Sequence, residues 1–191
     1  MKTLLKNYLT LFGVAGIIIA FDQWTKHLVR TNLHLGEIWL PEGWEHLLDY
    51  FRVTHWYNTG AAFGMFKGGS MVFTVLAFVV SAAIIWFYSQ IEEEDWFLRL
   101  ALAMQLAGAL GNLIDRLLFE GRVTDFISVG KFAIFNIADA SITVGTGIML
   151  IGVAILEKRE REAARQQQAQ QESDPLENAD AESPSGTEVS V

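Results

Sequence analysis

Long apolar blocks dominate the chain and alternate with short polar segments. Residues 7–21 and 100–114 contain no charged side chain, residues 68–91 are 24 residues without a charge, and residues 132–156 contain Asp139 as their one charge. About 20 consecutive apolar residues cross the hydrocarbon core of a bilayer as an α-helix. The pattern predicts four transmembrane helices, near residues 8–29, 70–90, 97–118 and 137–156.

Two other interpretations of these blocks fit less well. Helices of a soluble bundle have a polar face, whereas residues 71–88 contain no charged side chain at all. Lys2 and Lys6 before an apolar run resemble a secretory signal peptide, but cleavage after Ala20 would place Ile18 where a small residue is required. We therefore expect the first block to be a retained transmembrane helix.

The segments between the helices favour β-structure. Residues 50–57 (YFRVTHWY) and 123–129 (VTDFISV) are rich in aromatic and β-branched residues, which is typical of short strands. They lie in the connecting segments 30–69 and 119–136. The sequence therefore predicts an all-α membrane protein of four transmembrane helices with a small extracytoplasmic β-rich platform.

The distribution of basic residues predicts the orientation. Seven Lys and Arg residues lie at the N-terminus, in the loop 89–99 and in the C-terminal segment, against four in the two β-prone segments. Cytoplasmic segments carry the excess of Lys and Arg, so both termini are expected in the cytoplasm. We expect a membrane domain over residues 1–156 and a cytoplasmic, largely disordered polar tail over residues 157–191, which has nine acidic and four basic residues.

Composition excludes several classes of protein. The formal net charge is −8, which argues against a basic nucleic-acid-binding domain. The chain has no cysteine, so a disulfide framework, a thiolate metal site, a cysteine nucleophile and a lipid-modified cysteine are all excluded. Zinc-binding His-Glu-x-x-His, the Gly-x-Ser-x-Gly elbow and the Walker loop are absent, and the four histidines show no ligand spacing. We expect neither a metal nor a cofactor.

Polar residues inside the apolar blocks indicate a site, because polar side chains in a membrane usually mark function or an internal pair. Asp22 and Lys26 lie one turn apart on helix one, as an ion pair or as a brace for a site. Gly108, Asn112 and Asp115 form one stripe on helix three. Helix packing can explain the glycine and the amide of this stripe, because small residues let helices approach and amides form hydrogen bonds between them.

Arg116 directly follows Asp115 at the same helix end, and packing does not account for this acid–base pair. The guanidinium matches a lipid phosphate or a carboxylate equally well. We expect Arg116 and Asn112 to position lipid or carbonyl groups of a substrate.

Asp125 and Asp139 are the candidate catalytic pair. Taken alone, Asp139 fits a helix cap and Asp125 a solvated loop residue. The residues between them are numerous enough to turn back and bring the carboxyl groups together. Two adjacent carboxyl groups share a proton, so one activates water while the other polarises a scissile amide. The sequence does not say which aspartate holds the proton.

Five motifs, in order, resemble those of the bacterial lipoprotein signal peptidases, also called signal peptidase II: DQWTK (22–26), NTGAAFG (58–64), GALGNLIDR (108–116), VTDFI (123–127) and FNIADASI (135–142). The resemblance implies an intramembrane aspartic endopeptidase with Asp125 and Asp139 as its catalytic pair. It implies supporting or substrate-binding roles for Asp22, Lys26, Asn58, Gly60, Gly108, Asn112, Asp115, Arg116, Asn136 and Ala140.

The resemblance also implies the substrate and the location. The substrates would be prolipoproteins with a diacylglyceryl-modified Cys, cleaved just before that residue, by an enzyme of the bacterial inner membrane with its active site near the outer leaflet. We expect a monomer that contacts membrane lipids. The short connection between Asp125 and Asp139 and the acidic, Gln-rich tail depart from the common pattern.

Two alternatives remain at this point. A proton or ion transporter also uses intramembrane aspartates, although four short-looped helices with one polar cluster make a poor pathway across the bilayer. A non-catalytic scaffold that binds lipoproteins would retain its function when Asp125 is replaced by Asn.

Overall fold

Four long helices form most of the molecule. The computed structural model describes residues 2–60 and 69–181, and the side chains of residues 7–60 and 69–168. All four helices contain a stretch long and apolar enough to cross a membrane, as the sequence predicts. They are α1 Lys2–Asn32, α2 Ser70–Tyr88, α3 Trp96–Leu118 and α4 Ile137–Ala181.

The chain divides into two compact units, residues 1–150 and residues 151–191. The first contains α1, α2, α3, the strands and the start of α4. The second contains the remainder of α4, whose described side chains are nearly all exposed. The boundary at residue 156 and the disorder of the tail stay predictions.

Helix α3 is the central helix of the first unit. It packs against both α1 and α2, and its buried face is built largely from Ala, Gly and Leu. Small residues allow helix backbones to approach closely where no water drives them together. The core cluster joins residues of α1, α2 and α3: Leu11, Ala15, Ile84, Tyr88, Leu102, Ala103, Leu106 and Ala107.

Three short strands form an antiparallel sheet in the order β1-β2-β3. They are β1 Ile38–Trp39, β2 Phe51–Asn58 and β3 Val123–Val129. The predicted β-rich platform is thus present, with β3 over the expected residues. The register between β2 and β3 shifts between Val53 and Trp56, and Trp56 then lies opposite Asp125.

The sheet is attached to the C-terminal end of α1. Arg30 donates a hydrogen bond to Thr124 Oγ1 on β3 (3.0 Å), and a ring nitrogen of His55 on β2 lies 2.8 Å from the carbonyl of Leu33. The connection from α3 to β3 turns through Glu120 and Gly121, both at positive φ. A side chain at Gly121 would collide with Ser70 at the start of α2, so this turn also fixes the end of the bundle.

Candidate active site

Asp125 is held on β3 by two amide donors. Its side chain is 1% exposed. Asn58, at the end of β2, donates its Nδ2 to Asp125 Oδ2 at 3.1 Å, and Asn136 donates its Nδ2 to Asp125 Oδ1 at 2.6 Å. Asn58 is itself oriented by an Asx turn, in which its Oδ1 accepts the backbone N–H of Gly60 at 2.9 Å.

Asp139 lies in the first turn of α4 and forms a reciprocal cap with Asn136. The backbone N–H of Asp139 donates to Asn136 Oδ1 (3.0 Å), and the backbone N–H of Asn136 donates to Asp139 Oδ2 (3.2 Å). This is the geometry of a capping box, so Asp139 does take part in a helix cap. Its Oδ1 also accepts the side-chain amide of Asn112 at 2.8 Å.

Asn136 therefore touches both candidate carboxyl groups. Its side-chain amide reaches Asp125 while its backbone N–H and Oδ1 hold Asp139, and the residue is completely buried. The spacing of Asn136 three residues before Asp139 allows the cap, and the turn before α4 brings the same side chain against β3. Asp125 and Asp139 are consequently neighbours although 13 residues separate them.

The electrostatics of Asp125 follow from this placement. Burial raises the pKa of the Asp125 carboxyl to about 7, and the nearby negative charge of Asp139 acts in the same direction. The hydrogen bonds from Asn58 and Asn136 partly oppose the rise. Asp125 can thus hold a proton close to neutral pH, as one member of a proton-sharing pair must.

Both carboxyl groups line one open cavity of about 630 Å³. Its polar lining residues include Asn58, Asn112, Arg116, Asp125 and Asp139. Its apolar lining residues include Phe73, Leu76 and Val80 of α2 and Ile142 of α4. The cavity can therefore receive a ligand that combines a polar reacting group with an apolar portion.

A buried ionic network supports the pair from α1. Lys26 Nζ lies 2.9 Å from Asp22 Oδ2 and donates to Asn112 Oδ1 at 3.0 Å. Asp22 Oδ1 accepts the backbone N–H of Ala138 at 2.9 Å. Asp22 and Lys26 are both 0% exposed, and together they fix Asn112 and the first turn of α4 rather than the two candidate carboxyl groups directly.

Asp115 completes this network. Its Oδ2 accepts the backbone N–H of Thr124 at 2.9 Å and lies 3.6 Å from both Lys26 Nζ and Arg30 Nη1. Asp115 therefore ties the end of α3 to the residue beside Asp125. It pairs with bases of α1, whereas the adjacent Arg116 lies over the ring of Phe73, 5.5 Å from its centroid.

Two glycines of α3 allow α4 to approach the site. A side chain at Gly108 would collide with the backbone oxygen of Ala138 and with Ile142. At Gly111 a Cβ would lie 2.9 Å from Asp22 Oδ2 and 3.2 Å from Ala138 Cβ. Any residue can adopt helical φ values, so the backbone conformation does not require glycine here. Close packing requires it at both positions.

The structure brings all the predicted site residues into one region. Gly60, Arg116 and Ala140 line the cavity together with the polar residues above. The last part of the NTGAAFG motif, residues 61–64, lies outside the described residues. In the part of the chain that the structure describes, no three His, Asp or Glu side chains are grouped as a metal site.

Sequence reasoning missed Gln23, Arg30 and Thr124. Gln23 donates its Nε2 to Asp115 Oδ1 at 3.1 Å and to the carbonyl of Gly111 at 3.0 Å. Arg30 could have been found, because it follows Lys26 by one turn on the same face of α1. Gln23 and Thr124 lie within the DQWTK and VTDFI motifs, but nothing in the sequence distinguishes them from the other residues of those motifs.

Comparison with known proteins gives a consistent result. The profile of the family described as Signal peptidase (SPase) II matches residues 14–155. A lipoprotein signal peptidase of Shouchella clausii (strain KSM-K16) is 41% identical over 156 residues, covering 80% of this chain and 97% of the relative. One of Staphylococcus aureus (strain Newman) is 34% identical over 157 residues, covering 78% and 91%.

A solved structure is similar as well. A bacterial membrane enzyme determined by the in meso method at 2.3 Å resolution superposes with a TM-score of 0.70 at 31% sequence identity. The match covers 80% of this chain and 90% of that one.

Proposed function

We propose that Asp125 and Asp139 are the catalytic pair of this chain, which belongs to the signal peptidase II family of multi-pass bacterial membrane proteins. The chain is thus a lipoprotein signal peptidase, an aspartic peptidase that removes signal peptides from prolipoproteins. Because the chain belongs to this peptidase family, we reject the alternatives of a transporter and of a non-catalytic scaffold.

The bridge through Asn136 is the single observation that carries this assignment. One residue donates a hydrogen bond to each carboxyl group, through its side chain at 2.6 Å and its backbone at 3.2 Å. Both aspartates also line the same cavity. Two carboxyl groups held against a common partner are suited to the exchange of one proton.

The surroundings favour different roles for the two groups. Asp125 is the more deeply buried, which favours its neutral form. Asp139 lies at the N-terminus of α4, where the helix dipole stabilises a negative charge, and it is only partly buried. We therefore assign the proton of the resting pair to Asp125.

The reaction follows from these roles. Asp139 takes a proton from a water molecule, and the resulting oxygen attacks the scissile carbonyl, whose oxygen accepts a hydrogen bond from protonated Asp125. Collapse of the tetrahedral intermediate breaks the C–N bond, and a carboxyl proton passes to the leaving amine. Asn58, Asn112 and Asn136 keep the carboxyl oxygens in place through the cycle.

The shape of the cavity supports a lipid-modified substrate. Its apolar lining residues, on α2 and α4, are suited to the acyl chains of a diacylglyceryl group, and its polar lining residues are suited to the peptide. We propose cleavage just before the lipidated Cys, with Arg116 holding a carbonyl or ester oxygen of the substrate. Since the network comes from one chain, we also propose that the enzyme acts as a monomer among membrane lipids.

Peptide cleavage by purified protein tests the assignment. We expect wild type to cleave a diacylglyceryl-modified precursor peptide and to leave the unlipidated peptide intact. Asp125→Asn and Asp139→Asn should each lower the rate by about 10²–10⁴-fold, the usual contribution of a general acid or base. Asp49→Asn, which alters an exposed acid, is the matched control and should cleave normally. Cleavage by Asp139→Asn within tenfold of wild type would contradict the proposal.

A further inference from the structure

Arg30 lies near the C-terminal end of α1 and contacts the strand that carries Asp125. One of its guanidinium nitrogens donates a hydrogen bond to Thr124 Oγ1 at 3.0 Å and lies 3.6 Å from Asp115 Oδ2. The guanidinium carbon lies 4.4 Å from the centroid of the Phe119 ring, just after α3. A guanidinium can stack on a ring and donate hydrogen bonds at the same time. One side chain of α1 thus holds the end of α3 and the strand β3 together.

The charge of Arg30 belongs to the buried ionic network. Asp22 and Asp115 are both 0% exposed, and with Lys26 alone these two carboxyl groups would share one cation. Arg30, whose side chain is 15% exposed, supplies the second positive charge. A buried carboxylate that lacks a partner is strongly unfavourable. The charge of Asp115 therefore keeps the guanidinium in place beside Thr124.

Thr124 is the residue before Asp125, and it is anchored at three points. Its backbone N–H donates to Asp115 Oδ2 at 2.9 Å, and its carbonyl accepts a hydrogen bond from Asn136 Nδ2 at 3.3 Å. Its hydroxyl oxygen accepts the hydrogen bond from Arg30. The same Asn136 nitrogen donates to Asp125 Oδ1 at 2.6 Å. A displacement of Thr124 would therefore disturb both partners of that short bond.

The two neighbouring side chains of β3 point in opposite directions, as successive residues of a strand do. Thr124 points toward α1, where it meets Arg30, and Asp125 points to the other face, where it lines the cavity. Arg30 is not among the described residues that line this cavity. Arg30 therefore acts on the strand from the side away from the substrate.

We propose that Arg30 is a positioning residue of the peptidase reaction, which holds Asp125 in place through Thr124. This inference rests on the proposed catalytic pair. A misplacement of about 1 Å caused by a distant mutation can lower the rate roughly 100-fold. Because Arg30 positions a catalytic group and does not contact the substrate, its loss lowers kcat and leaves KM unchanged.

Cleavage kinetics of the full-length protein in detergent, with a diacylglyceryl-modified precursor peptide, test this role. We expect Arg30→Met to lower kcat about tenfold at unchanged KM. Thr124→Val removes the accepting hydroxyl at a similar size and shape, and it should lower kcat by a similar factor. Thr124→Ser keeps the hydroxyl and Arg30→Lys keeps a charged donor, so both should recover part of the rate.

The double variant Arg30→Met/Thr124→Val shows whether the two residues act as one unit. If Arg30 acts through Thr124, the two losses are not independent, and the double variant should be no slower than the slower single variant. A loss of about 100-fold, the product of the two single effects, would show separate routes and overturn the proposal. Thr124→Val leaves every charge of the network in place, so a wild-type kcat in this variant overturns it even when Arg30→Met is unstable.

Tyr8→Phe is the control for a loss of stability without a loss of positioning. Tyr8 precedes Arg30 by 22 residues of the same helix, or about 33 Å. Its hydroxyl donates to the Ile85 carbonyl at 3.2 Å, so the variant should have a lower Tm and a wild-type kcat. All variants are assayed well below their Tm, and a fall in kcat of Tyr8→Phe equal to that of Arg30→Met would assign both effects to stability and overturn the positioning role.

Failure of this inference and failure of the catalytic assignment give different results. If Asp125→Asn is inactive while Arg30→Met keeps kcat within about twofold of wild type, the positioning role is overturned and the catalytic pair stands. A raised KM at unchanged kcat in Arg30→Met would also overturn it. If Asp125→Asn cleaves like wild type, the catalytic pair is wrong and this inference is wrong with it.

Discussion

Asp125 is a deeply buried residue whose carboxyl group ionises as the pH rises. Its pKa is raised to about 7 by burial and by Asp139. For a carboxyl group shifted in this direction, the contribution to folding stability is complete below about pH 4 and is lost as the pH rises through about 7. The stability of the protein therefore has a pH dependence that belongs to this one side chain.

Asp125→Asn removes that ionisation, so its Tm relative to wild type should rise between pH 4 and pH 8. Any hydrogen bond that the amide gains or loses changes the Tm by an amount that does not vary with pH. The measurement is thermal unfolding in detergent across this range. Asp49→Asn, at an exposed position, serves as the control. If the difference in Tm between Asp125→Asn and wild type does not change with pH, burial does not raise the pKa of Asp125 as described.

Arg116 is a basic side chain in the lining of the cavity, and it lies over the ring of Phe73. Arg116→Ala should lower cleavage about 10–100-fold, the usual effect of losing a hydrogen bond to a charged donor, while the Tm stays close to that of wild type. Arg116→Lys should recover part of the rate. Cleavage at the wild-type rate by Arg116→Ala would exclude a role in substrate positioning.

At the scale of elements, the contact between α3 and α4 depends on the absence of side chains at two positions. Gly108→Ala would drive a methyl group into the backbone of Ala138 and should destabilise the protein by about 1–3 kcal/mol, with loss of cleavage. Gly13→Ala on α1, where a Cβ meets nothing within 4 Å, should be neutral or stabilise by up to about 1 kcal/mol. Thermal unfolding of both variants measures the contrast, and similar Tm values would contradict it.

Helix α1 acts as the brace of the site through Lys26. Replacement of Lys26 by Met would leave Asp22 and Asp115 buried without their shared cation. Loss of one partner from a buried pair typically costs about 3–5 kcal/mol. We expect a large fall in Tm for Lys26→Met, and a much smaller one for Lys158→Met, whose ion pair with Glu162 is exposed. Equal effects would show that the buried network contributes no more than a surface pair.

The elements that the sequence predicts well are those whose signal is local. Uninterrupted apolar runs predicted the helices. The β-branched run at 123–129 predicted β3 with both of its end residues correct. The sequence predicted the first helix near residues 8–29. The helix continues to Asn32, because Arg30 lies over the Phe119 ring at 4.4 Å and bonds Thr124, so its charge is used within the fold.

Contacts between distant parts of the chain could not be predicted in the same way. The motifs indicated that Asp125 and Asp139 belong together, but the bridging position of Asn136 depends on how the turn before α4 meets β3. Strand β1 has two exposed residues, Ile38 and Trp39, and such a segment has no alternation to detect. Its pairing with β2 is set by tertiary contacts.

On the scale of the whole molecule, the sheet and the candidate pair lie at one end of the helices and the α2–α3 loop at the other. We propose that the sheet faces outward and that both termini are cytoplasmic, because Lys and Arg residues are more frequent at the termini and in that loop.

The absence of cysteine from the chain makes this orientation directly measurable. In intact cells, an impermeant maleimide should label Glu42→Cys in the β1–β2 connection. It should leave Glu94→Cys and Gln167→Cys unlabelled until the membrane is opened. All three positions are exposed, so differences in labelling report the side of the membrane. Labelling of Gln167→Cys from outside would reverse the proposed topology.

The mixed polar and apolar lining of the cavity has a consequence for resistance to inhibitors. Under the proposed mechanism, a compound that engages only Asn112, Asp125 and Asp139 meets residues that the enzyme cannot exchange without losing its own chemistry or support. A compound that gains its affinity from the apolar wall meets Leu76, Val80 and Ile142, where one hydrophobic residue can replace another at little cost. Escape mutations should therefore accumulate on that wall, and the most durable inhibitors will be those that rely on it least.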